Sequence, residues 1–105
     1  MLNKLTSADF SPHLNQTFKI HYHSTKILEA RLVLEVELIE VTDYAGKSMG
    51  PSKRRPFTIL FRAPKDTILP QAIYKLEHDK MGTVELFLVP IMPDEKGSLY
   101  ESVFN

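Results

Sequence analysis

Residues 28–41 read LEARLVLEVELIEV, and this run decides the class of fold. Its even-numbered positions from 28 to 38 are all apolar, as in a β-strand that buries one face. The odd-numbered positions are mixed: four are charged and three are apolar, namely Glu29, Arg31, Val33, Glu35, Glu37, Ile39 and Val41. A straight strand over 27–41 would be roughly 45 Å long, against a radius of gyration of about 13 Å for a domain of this size. We therefore expect the strand to bend, bulge or break.

The same alternation recurs along most of the chain. Strand-like segments with period two occupy 17–23, 57–62, 72–77, 83–89 and 99–104. Pro64 is expected to stop the third strand, and Pro90 and Pro93 to bound the fifth. Short turns at 78–82 and 94–97 contain glycine. The pattern predicts an all-β fold, a small antiparallel sandwich or barrel of about six strands; a helix over part of 26–34 is the less favoured alternative.

The domain organisation follows from length and composition. The 105 residues are 43% hydrophobic and 25% charged, which is typical of one globular domain spanning 1–105. Residues 1–16 form an N-terminal arm, in which Thr6 or Ser7 caps a helical turn or the chain is irregular. Residues 42–56 are rich in glycine, proline and polar residues and are expected to form a long loop.

Charge and cysteine content exclude several classes of protein. Thirteen basic and thirteen acidic residues give no net charge, so a general attraction to nucleic acid or anionic membrane is not expected. The absence of cysteine excludes a disulfide framework and a Cys-type zinc site. The N-terminus lacks the apolar region of a signal peptide, and we expect a cytoplasmic protein.

Candidate chemical sites are few. His21 and His23 share one face of a strand, but they are weak metal candidates because no third ligand is apparent. A short basic run, Lys53, Arg54 and Arg55, is a possible anion contact and more simply a solvated loop. No phosphate-binding glycine motif or nucleophile-base arrangement is present in the sequence. We expect no cofactor and no enzymatic activity.

A second apolar face is the most informative feature for function. Six apolar residues fall in the phase opposite to the main core, interspersed with charged residues: Val33, Ile39, Val41, Ile73, Phe87 and Val89. Contiguous apolar patches are rarely left in water, so something should cover them. The 42–56 loop with the N-terminal arm is one possible cover. Another chain, a second copy or a larger protein partner, is the one we favour, because the loop is polar.

Four phrases carry a resemblance to a known family: PFTILFRAP at 56–64, LPQAIYKLEH at 69–78, LFLVP at 86–90 and YESVFN at 100–105. In these the chain resembles a family of short uncharacterised bacterial and viral proteins defined as a domain of unknown function. It departs from the FRGP and LPQG of that family at Ala63 and Ala72. The resemblance implies an accessory protein of a phage-tail-like or fibre system, with a binding or assembly role.

Together these observations predict a non-catalytic protein-interaction or assembly module. The alternative is a β-barrel carrier of a small ligand or metal to which His21 and His23 contribute. We expect a protein partner or a homo-oligomer, with no nucleic acid and no membrane among its partners.

Overall fold

A computed structural model of the chain describes residues 5–24, 30–43 and 56–104, which form six antiparallel strands after a short helical segment. The strands are β1 (Thr17–Ser24), β2 (Ala30–Asp43), β3 (Phe57–Ala63), β4 (Ala72–His78), β5 (Gly82–Asp94) and β6 (Gly97–Phe104). They are ordered β1-β2-β3-β6-β5-β4, and β4 pairs with β1 to close a barrel. The predicted all-β fold is confirmed, in its barrel form.

The N-terminal segment is helical rather than irregular. Helix α1 (Ser7–Phe10) is followed by a 3-10 turn, Ser11–His13. The Asp9 carboxylate accepts a hydrogen bond of 2.7 Å from the Thr6 backbone N–H, which satisfies one donor ahead of the helix. Phe10 is fully buried, and its ring lies 6.1 Å from that of Phe57. The arm is therefore part of the core.

The long strand β2 contains a β-bulge, as expected from its length. Leu38 lies opposite Phe61, but the next pair joins Glu40 to Leu60, so Ile39 is an extra residue in β2. The bulge reverses the alternation, and Val41 consequently lies opposite the buried Ile59 and packs against the core. The prediction that Val41 shares an outer face with Val33 is therefore wrong.

Strand β5 passes through both prolines that were expected to bound it. Its first half pairs with β4 as far as the Ala72–Leu88 pair, and its second half pairs with β6 from Val89 onward. Proline is tolerated where a strand has a side without a ladder partner, because the missing N–H is not needed there. The change of partner after Leu88 therefore lets the strand continue through Pro90 and Pro93 to Asp94.

The connection between β3 and β4 is tied to β6 by side-chain hydrogen bonds. The Tyr100 hydroxyl accepts a bond of 3.0 Å from the Leu69 N–H and donates one of 3.2 Å to the Thr67 carbonyl. Ser98 donates a further bond of 2.9 Å to the same carbonyl. A segment without strand structure is thereby held against the barrel wall.

Aromatic and aliphatic side chains fill the interior of the barrel. Phe18 meets Phe61 edge to face with ring centres 5.3 Å apart, and Phe57 stacks on Phe104 at 4.3 Å. Full burial of such a side chain is worth about 1.5–3 kcal/mol. The largest fully buried residues are Tyr100, Phe10, Phe18, Phe57, Phe61, Ile20, Leu38, Ile59, Leu76, Leu86 and Leu88.

Candidate interaction surface

Two adjacent apolar side chains face the solvent on the outer surface of β4 and β5. Ile73 and Phe87 are direct partners in the register of these strands and are 67% and 47% exposed. Strand alternation explains the exposure, because the neighbouring pair of Tyr74 and Leu86 points inward and is buried. Opposite residues in an antiparallel pair have Cβ atoms about 4.5–5.5 Å apart. The two side chains therefore form one continuous surface, which we call the Ile73–Phe87 patch.

A row of opposite charges borders this patch. Lys75 and Glu85 are the next outward-facing pair along β4 and β5, and both are exposed. Within the described parts of the chain, neither the Lys75 ammonium nor the Glu85 carboxylate forms a hydrogen bond or an ion pair. In the following row, Glu77 is bonded to the His21 ring at 3.0 Å. The patch thus lies beside one cation and one anion whose charges are available to another molecule.

The structure separates the six residues that the sequence placed on one face. Val33 is 52% exposed, but it lies on β2, in the row of Lys75 and Glu85, and His21 separates it from Lys75. Ile39 occupies the bulge and is half-buried, and Val89 is half-buried on β5 two residues beyond Phe87. Of the six, only Ile73 and Phe87 are direct neighbours that are both exposed.

The predicted metal ligands lie within the described residues, whereas the predicted anion contacts do not. His21 and His23 both belong to β1, where His21 contacts Glu77. Among the described residues, no three side chains of His, Cys, Asp or Glu form a group that could hold a metal ion. Lys53, Arg54 and Arg55 lie outside the described residues, as does most of the predicted 42–56 loop.

A groove that sequence reasoning missed lies between the 64–71 connection and the β5–β6 hairpin. Two adjoining cavities of about 370 and 220 Å³ share Thr67, Ile68, Pro93 and Ser98 in their lining. Ile68 is 88% exposed. No alternation or motif marks this groove in the sequence, because it arises where a proline-containing connection meets a strand that has changed partner.

A buried histidine cluster also escaped sequence analysis. His78 is 5% exposed at the end of β4, where its Nδ1 accepts hydrogen bonds from the backbone N–H groups of Lys80 and Met81 at 3.0 and 3.2 Å. Nδ1 is therefore unprotonated, and Nε2–H donates to the Gln16 Oε1 at 2.7 Å. Burial lowers the pKa of His78, and the nearby His13 lowers it further. The neutral ring links the β4–β5 turn to the N-terminal arm.

One ion pair fixes the β5–β6 turn. The Arg62 guanidinium donates to the Asp94 carboxylate at 2.6 Å, and this bond is the main cause of a lowered pKa for Asp94. The other carboxylate oxygen accepts from the Lys96 and Gly97 backbone N–H groups at 2.9 and 3.0 Å. Gly97 is required here, because a Cβ would overlap the Ala63 carbonyl oxygen. These contacts position the wall of the groove.

Comparison with known proteins gives one match. A family model described as "Domain of unknown function (DUF6916)" matches residues 5–104. No curated protein and no solved structure matches the chain. In the described part of the chain, no helix is long and apolar enough to span a membrane.

Proposed function

We propose that this chain, which belongs to the family described as Domain of unknown function (DUF6916), is a non-catalytic association module. The observation that carries the proposal is the exposure of Ile73 and Phe87 side by side on an outer barrel surface. Single exposed apolar residues are ordinary, whereas contiguous apolar surface bordered by polar residues is typical of interaction sites. Aromatic anchors are also enriched where binding energy concentrates.

The expected energy of covering the patch follows from its exposed fractions. Burial of a whole large apolar side chain is worth about 1.5–3 kcal/mol, and roughly half to two thirds of each side chain remains to be buried. Each residue can therefore contribute about 1–2 kcal/mol to association. A contribution of this size makes Ile73 and Phe87 measurable anchors.

The test places a charge in the patch without touching the core. Phe87→Lys and Ile73→Lys should lower the mass measured by light scattering, or abolish capture of a partner from the native source, while thermal unfolding stays cooperative. Val33→Lys is the matched control, because Val33 is a comparably exposed residue on a strand away from the patch. If both patch variants keep the mass and the bound partner of the wild type, the patch is not an interface.

The finer role that we propose is accessory, in the assembly of a phage-tail-like or fibre system. It rests on the family resemblance of the four sequence phrases and fits a small domain with an association surface. Co-purification with a tail or fibre component through the patch would support this role, and its absence from such particles would contradict it. The described barrel interior is occupied by packed side chains such as Phe18, Ile20 and Phe61, so we do not propose the carrier alternative.

A further inference from the structure

We propose that the occupant of the Ile73–Phe87 patch is a second copy of this chain, related by a two-fold axis parallel to β4 and β5. This inference rests on the proposed function and names its partner. It is carried by the register of the two strands and by the charges beside the patch, not by the apolar residues alone. A symmetric dimer requires that the surface be complementary to itself.

The register supplies that complementarity. A two-fold axis that runs between β4 and β5, parallel to them, lays β4 of each copy over β5 of the other. Because Ile73 and Phe87 are opposite each other, Ile73 of each copy then faces Phe87 of the other. Lys75 and Glu85 are also opposite each other, so Lys75 of each copy faces Glu85 of the other. One symmetry operation thus gives two apolar contacts and two attractive charge contacts.

Other symmetric arrangements use the charges less well. An in-plane axis perpendicular to the strands lays β4 on β4. If that axis passes through the patch, Ile73 of each copy faces Ile73 of the other, and Lys75 faces the uncharged Gln71 instead of Glu85. Lys75 and Glu85 make no ion pair within the described parts of the chain, so their pairing across the dimer breaks no existing bond. In the third row Glu77 would face Thr83, which introduces no like-charge contact. Charge complementarity therefore selects the axis parallel to the strands.

The dimer is expected to depend on concentration and salt. The complementary rows cover parts of only two strands on a curved barrel surface, which is small compared with stable interfaces. The charge contacts lie at the solvent-exposed margin of the patch, where salt screens them. Dimerisation should thus strengthen with protein concentration and weaken with added salt.

The decisive experiment exchanges the charges. Lys75→Glu places carboxylates against Glu85 of the other copy at two symmetric positions, and Glu85→Lys places ammonium groups against Lys75. Each variant alone should dimerise roughly tenfold more weakly than the wild type, or more so. An equimolar mixture of the two should dimerise again, because both interchain contacts become attractive. The double variant Lys75→Glu/Glu85→Lys should also form a dimer.

A matched control measures the effect of placing two lysines opposite each other within one chain. Glu35→Lys places a lysine opposite Lys19, as Glu85→Lys does opposite Lys75, but on strands β2 and β1. Glu35→Lys should dimerise like the wild type in sedimentation equilibrium. Recovery in the mixture supports the dimer even if each single variant loses some stability.

The second-copy proposal is overturned if the wild type stays monomeric at every concentration, or if the mixture is no more dimeric than its components. The association module itself is tested separately by partner capture with Phe87→Lys. If the wild type is monomeric but binds another protein that Phe87→Lys does not bind, the patch is an interface with that protein. This result would refute only the dimer.

Discussion

Replacement of His78 by leucine should destabilise the barrel at the junction of the β4–β5 turn and the N-terminal arm. The ring makes three hydrogen bonds, to the N–H groups of Lys80 and Met81 and to the side chain of Gln16. At about 0.5–1.5 kcal/mol net for each bond, the loss is about 2–4 kcal/mol. Leucine fills most of the volume, so the cavity cost is small. Against a total of about 5–15 kcal/mol, the change is readily measured.

The same residue makes wild-type stability depend on pH. Burial holds the pKa of His78 in the folded chain below its usual value near 6.5, so the unfolded chain takes up the proton first. The stabilisation from the neutral ring is complete above about pH 6.5 and is lost as the pH falls from there through the lower folded pKa. One group changes stability by at most about 1.4 kcal/mol per pH unit in that window.

Urea unfolding of wild type and variants, above and below about pH 6.5, measures both effects. His78→Asn keeps a side-chain oxygen that can accept hydrogen bonds from the N–H groups of the turn, so it should retain part of the stability. It should lose the dependence of the free energy of unfolding on pH that His78 causes. His21→Asn, on the outer surface, is the control that leaves the His78 cluster intact. A His78→Asn protein with the wild-type slope would refute the assignment of the slope to His78.

Two further changes test the contacts around the groove. Tyr100→Phe removes the hydroxyl that accepts from the Leu69 N–H, and should cost about 1–3 kcal/mol in urea unfolding while speeding amide exchange at Leu69; unchanged exchange at Leu69 would count against this anchor. Gly97→Ala forces a methyl group against the Ala63 carbonyl oxygen and should cost about 1–3 kcal/mol, so a variant as stable as the wild type would show that the turn is not tightly packed.

Periodicity predicted most of the barrel because each strand buries only one face. Residues 57–63 alternate between buried and half-buried, and 72–78 alternate between buried and exposed along most of their length, as their sequence indicates. The same alternation put Ile73 and Phe87 on the outer surface without knowledge of their pairing. Their direct contact is a matter of register between β4 and β5, which a single-strand pattern does not contain.

The incorrect predictions concern β2 and β5, where a bulge or a change of strand partner interrupts the regular pattern. The predicted phase of Val41 is wrong because one inserted residue at Ile39 reverses the alternation. Neither isoleucine nor valine marks a bulge in a sequence. The predicted end of β5 at Pro90 is wrong because the strand changes partner at that point and continues, and the sequence of β5 alone does not show this change. Alternation places His78 inward with Tyr74 and Leu76. Its hydrogen bond to Gln16 joins residues far apart in the chain, and no local pattern reports such a contact.

The most direct test of the account is an isotope-filtered NOE experiment on a mixture of labelled and unlabelled chains, which detects only contacts between copies. The account predicts NOEs between the Ile73 methyl groups of one copy and the Phe87 ring of the other, weakening on dilution, and none from Val33. Interchain contacts that involve Val33 but not Phe87, or the absence of any interchain contact in concentrated protein, would contradict it.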